Sequence, residues 1–225
     1  MTQPPTSGSA ATEQLIDRLA IGLPPVRRIA PSWARAGVWL ALVAVFAIVL
    51  ASRADLPAVR ARLMSYPDMW LAVVGSVATA LLGAFAAMQL SLPDRSWRWS
   101  LLPLPAAALW LGASGLGCLR QEFVAAVRPA TMQDAMQDCM PFILKTSLIL
   151  AIPLAVLLWR ARPLRPELVA TTAGLATAAA AASLLWFEHP FDASATDLVV
   201  HIVAVLLVVL ACRVAVSMRR LLSRR

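Results

Sequence analysis

Residues 69–93, MWLAVVGSVATALLGAFAAMQLSLP, run for 25 positions between Asp68 and Asp94 without a charged side chain. An α-helix rising 1.5 Å per residue needs about 20 apolar residues to cross the hydrocarbon of a bilayer. This stretch is long enough, and it lacks the polar row that would wet one face of a soluble helix. Similar runs flank it. Arg35 and Arg53 enclose 17 uncharged residues, Arg98 and Arg120 enclose 21, and Glu167 and Glu188 enclose 20. A fourth run, Cys139 to Trp159, is interrupted only by Lys145, and a sixth, Leu198 to Met218, carries His201 near one end and Arg213 near the other. The chain is therefore expected to be all-α, an integral membrane bundle of six transmembrane helices at 36–52, 69–92, 99–119, 139–159, 168–187 and 198–218.

Composition agrees. The 225 residues are 60% hydrophobic and 14% charged, where soluble domains sit nearer half and a quarter. A net charge of +8 would suit a nucleic-acid partner, but the arginines lie between apolar runs and form no single patch, so no direct nucleic-acid contact is expected. About 35 mostly polar residues precede the first run, so no secretory signal is expected. Three cysteines are too few for a disulfide framework.

The basic residues set the direction. With the N-terminus in the cytoplasm, inner segments hold fourteen arginines: Arg18, Arg27, Arg28 and Arg35, then Arg95 and Arg98, then Arg160, Arg162 and Arg165, then Arg213, Arg219, Arg220, Arg224 and Arg225. Outer loops hold five: Arg53, Arg60, Arg62, Arg120 and Arg128. That excess places both termini inside, with a basic tail at 219–225. Small residues recur every fourth position, Gly75, Thr79, Gly83 and Ala87 in the second span and Ala170, Gly174, Ala178 and Ala182 in the fifth. Such seams let helix backbones approach closely.

The first eleven residues, MTQPPTSGSAA, read as a disordered tail. Residues 12–35 follow as a cytoplasmic segment. Thr12 is the expected N-cap, Glu13 sits in the first turn, and Pro24-Pro25 ends the helix. Leu15, Ile16 and Leu19 share one face of this short amphipathic helix of about ten residues. Alone in water such a helix is marginal, so it is expected to lie on a membrane surface or dock into a partner's groove.

Cys118 closes the third span, Cys139 opens the fourth, His189 closes the fifth and His201 lies about one turn into the sixth, all toward the outer face; Cys212 lies toward the inner one. Thiol and imidazole suit soft and borderline metal ions, two thiols can also form a disulfide, and each residue alone also reads as an ordinary helix-end residue. Lys145 stands two turns from Asp138 on the same helical face and is expected to snorkel toward it. There is no P-loop, GxSxG or HExxH, and no enzyme is expected.

At two places the chain resembles the NrsF family (negative regulator of sigma F), bacterial membrane anti-sigma factors. The first is LIDRLAIGLPPVRRIAPSWARA at 15–36. The second is CMPFILKTSLILAIPLAVLLWRARPLRPELVATTAGLATAAAAASLLW at 139–186, where the family shows a cysteine opening the fourth span, an Arg-rich inner loop ending in proline and a Gly/Ala-rich fifth span. The resemblance implies a multi-pass protein of the bacterial inner membrane that sequesters an extracytoplasmic-function sigma factor. Its cytoplasmic segment would dock the sigma factor through Leu15, Ile16, Arg18, Leu19, Val26 and Arg27. Outer-face groups would sense heavy metal or oxidation and release it. Cys139 matches the family's first cysteine; the second, expected in a Cys-Pro, is replaced here by His189 ahead of Pro190. A disulfide at that pair is ruled out; the expectations that remain are a Cys139–His189 metal pair completed by Cys118 or His201, Cys118 as the second thiol, or a lost or changed signal. No obligatory cofactor is implied, only a regulatory soft metal ion. The alternatives are a small transporter or channel, for which the spans offer few polar groups, and a structural membrane subunit.

Overall fold

The computed structural model describes residues 7–21, 29–123, 140–188 and 195–222. Their helices are α1 (Ser7–Ile21), α2 (Ser32–Ala51), α3 (Leu56–Ser65), α4 (Pro67–Leu90), a 3-10 turn (Trp97–Leu101), α5 (Leu104–Phe123), α6 (Met140–Trp159), α7 (Pro166–Leu185) and α8 (Ala195–Leu222). Six of the described helical segments are long and apolar enough to cross a membrane, so the chain is an all-helical, multi-pass membrane protein.

α4 and α7 pack against each other as the axis of the bundle. α5 packs along α4, α6 and α8 flank α7, and α2 lies against α4 and touches α6. In the most apolar window of each span, 78% of residues are buried in α7 but only 17% in α2 and α8, which puts the Ala-rich helix at the centre. The sequence explains that choice. Small side chains let neighbours come close, and without water to expel, close van der Waals packing is what holds membrane helices together. Both expected seams are buried: Gly75, Thr79, Gly83 and Ala87 on α4, and Ala170, Gly174, Ala178 and Ala182 on α7. A Cβ added at Gly75 would stand 2.6 Å from the backbone nitrogen of Trp110, and one at Gly174 would stand 3.0 Å from Val209 Cα.

Several hydroxyls inside the bundle bond within their own helix, whereas the buried Ser147 Oγ of α6 has no partner among the described residues. Thr79 donates to Gly75 O, Thr177 to Gly174 O and Ser183 to Ala179 O. Ser183 Oγ also lies 2.9 Å from Ser76 Oγ, a hydroxyl pair that joins α7 to α4. Prolines sit where a missing N–H costs nothing, in the first turns of α3, α4 and α7, except Pro153 inside α6.

Three boundaries differ from expectation. α1 begins at Ser7, five residues before the expected Thr12 cap, so residues 7–11 of the expected disordered tail are helical; Ala10 and Ala11 favour helix and extend it backwards. α2 begins at Ser32, four residues before the expected start of the first span at 36, so Arg35 lies in the first turn of that helix. α3 was expected as loop. Asp55 accepts a hydrogen bond from the Ala58 N–H at 3.2 Å, and Pro57 stands in the first turn, which together start the helix.

Candidate functional site

The bundle has two ends. At the arm end, Ser32 and Arg35 at the start of α2 meet Gln89 and Ser91 at the end of α4, and Arg219 near the end of α8 stacks on the Trp159 ring at the end of α6, 4.2 Å from its centroid. The far end holds the close of α5, the close of α7 and the start of α8.

At the arm end α1 stands away from the core. Its side chains from Ala11 to Ile21 are all exposed, with Leu15 at 57%, Ile16 at 57% and Leu19 at 63%. Leu15 and Leu19 are one turn apart with Ile16 beside them, so an apolar stripe faces outward and nothing in the described bundle covers it. Arg18 flanks the stripe. Val26 and Arg27 lie outside the described residues.

At the far end a cavity of about 240 Å³ opens between α4, α5, α7 and α8. Its wall is mainly apolar, with Trp110 and Trp186 among its larger faces, and both Cys118 and His201 line it. Cys118 is buried and His201 half-buried. Two of the four residues expected to sense are thus brought to one space from helices more than eighty positions apart in sequence. The other two, Cys139 and His189, lie outside the described residues. Their chain neighbours bear on the same region. Ile143, with Met140 packed beside it, clusters with Ala181, Leu185 and Ala204, and Leu185 is also part of the cavity wall. His189 follows the wall residue Trp186 by three positions. A soft ion in a tetrahedral site takes four donors, and the described wall supplies two. Among the described residues no group of three or more His, Cys, Asp or Glu could hold a metal ion.

Cys212 sits apart, at the arm end, where a Cβ on Gly174 would come within 3.5 Å of its Sγ. Lys145 is exposed on α6, and Asp138, its expected partner, lies outside the described residues. The sequence reading missed the buried Arg35. It is 5% exposed and donates to Ser91 Oγ at 3.2 Å, Met88 O at 3.2 Å and Leu157 O at 3.5 Å. Only its position next to an apolar run could have drawn attention to it.

No curated protein and no solved structure matches the chain. Residues 19–222 match the model of one protein family, described as NrsF: negative regulator of sigma F. The match opens at Leu19, within α1, and closes at the end of α8. Because it covers nearly the whole chain, from the arm through all six spans, this protein belongs to the NrsF family of negative regulators of sigma F.

Proposed function

We propose that this protein is a membrane-bound anti-sigma factor that sequesters an extracytoplasmic-function sigma factor on α1 and releases it when a stress signal reaches the far end. The family carries the regulatory half, since a negative regulator of a sigma factor has that factor as its partner. The observation that carries the docking half is the uncovered stripe of Leu15, Ile16 and Leu19. An amphipathic helix with its apolar face in water gains by laying that face into a groove. The excess of arginine among the segments assigned to the arm end supports a cytoplasmic α1, where a sigma factor works, with the far end on the outer side of the inner membrane. Val26 and Arg27 extend the docking segment toward the first span.

Deleting residues 2–21 is expected to raise sigma-dependent transcription to the level of a strain without the protein, at unchanged membrane abundance. A reporter fusion read beside an immunoblot checks it, and full repression by the shortened chain would remove α1 from the mechanism.

For sensing, the far-end cavity offers Cys118 and His201, with Cys139 and His189 as the remaining donors for a soft ion such as cadmium(II). Loss of even a supporting group at a metal site costs about 10–100-fold in affinity. The Cys118→Ser variant is accordingly expected to move the cadmium dose response of the reporter to higher concentration by about ten-fold or more. An unshifted curve would take Cys118 out of the sensing set.

A further inference from the structure

Arg35 carries a full charge into the bundle, and among the described residues no carboxylate pairs with it. Its guanidinium instead reaches the last turns of two helices. Met88 O belongs to the last turn of α4, and Leu157 O to the last turn of α6. Helix C-termini expose carbonyls that lack intrahelical partners and carry partial negative charge, so a cation there acts as a shared cap. Ser91 completes the arrangement, accepting from Arg35 and donating to Met88 O at 2.7 Å.

One turn further along α2, Trp39 is 1% exposed, and its Nε1 donates to Leu150 O at 2.9 Å. Leu150 and Leu157 lie on either side of Pro153, the proline inside α6. Proline supplies no N–H and its ring crowds the carbonyl four residues back, which opens the helical ladder and makes a bend. α2 therefore holds α6 at two points, three residues before Pro153 and four residues after it. The first turns of α6 pack with Leu185 of the cavity wall, and α2 leads back toward α1.

We propose that α6, hinged at Pro153, carries the packing state of the far end to the arm, and that Arg35 and Trp39 are the positioning residues that make α2 follow it. This rests on the reading of α1 as the sigma-docking arm. Hydrogen bonds to carbonyls fix direction without the strength of an ion pair, so the two grips can track a change in the bend. Straightening α6 must then be felt by the arm only while the grips are intact.

The test is a double-mutant cycle on the full-length protein in lipid nanodiscs, with the Kd for the purified sigma factor as readout. Pro153→Ala is expected to change that Kd by about three-fold or more, the range in which coupling residues act. The same substitution made on a Trp39→Phe or an Arg35→Met background is expected to leave Kd unchanged, because the grip on one side of the bend is gone. On an Arg35→Lys background, which keeps a cation at the two helix ends, the Pro153→Ala effect is expected to persist. Both Trp39→Phe and Arg35→Met are used, so failure of one to accumulate leaves the other to decide. Equal Pro153→Ala effects on all backgrounds, or no effect on any, overturn the proposal while sigma binding itself stands. Absence of sigma binding by the unmutated protein would instead overturn the docking reading.

Discussion

Full-length protein carrying both Leu15→Asp and Leu19→Asp is expected to bind its sigma factor roughly 100-fold more weakly than the unaltered chain. Burying one leucine side chain is worth about 1.5–3 kcal/mol, so losing two costs at least about 3 kcal/mol, and 1.4 kcal/mol is a factor of ten in Kd. The two residues stand one turn apart and are 57% and 63% exposed, so neither supports the bundle. The melting behaviour of the protein in detergent should accordingly be unaltered, which separates lost docking from lost folding. Glu13→Ala and Asp17→Ala, off the Leu15–Leu19 row of α1, are expected to change Kd by no more than about three-fold, the scale of exposed charges. Titration of nanodisc-embedded protein with sigma factor checks all four. Equal Kd values for the double aspartate variant and the original would place docking elsewhere.

The second large effect is expected at Gly75. A Cβ there meets the Trp110 backbone nitrogen at 2.6 Å, its Cα at 2.8 Å and its Cβ at 3.0 Å, all atoms fixed to the α5 main chain. No side-chain rotation relieves the clash, so α4 and α5 must separate. Overpacking of this kind costs about 1–3 kcal/mol, and the Gly75→Ala apparent melting midpoint in detergent is expected to fall by about 2–12 °C. The consequence reaches the cavity, because Ala72 and Trp110 both form its wall. Gly112→Ala is the control, since a Cβ there has nothing within 4 Å, and its midpoint should match the original. Matching midpoints for both variants would show that the α4–α5 contact is not tight.

These two sites mark how far the residues alone could be read. Leu15, Ile16 and Leu19 were legible as an apolar face because their spacing is local, one helical turn of an otherwise polar segment. Gly75 was legible as part of a seam, but its partner was not, since Trp110 lies on another helix and only packing brings the two together. The same applies to Cys118 and His201, placed at the far end from the sequence and joined in one cavity by the approach of α5 and α8. α3 went unread although its start signals, Asp55 and Pro57, were present, because a ten-residue helix between two spans leaves little hydropathic trace.

The sequence by itself determined that six segments cross a membrane, which residues form the seams, and that a short helix precedes the first span. Those properties are sums over neighbouring residues, and transfer into hydrocarbon is close to additive along a helix. Only the tertiary structure decided where Arg35 belongs. Read as a boundary charge, it ended the cytoplasmic segment. In the fold its partners are Met88, Ser91 and Leu157, up to 122 positions away, and their carbonyl and hydroxyl oxygens make the interior tolerable for a guanidinium. A buried charge is stable only with partners, and partners are a property of the fold.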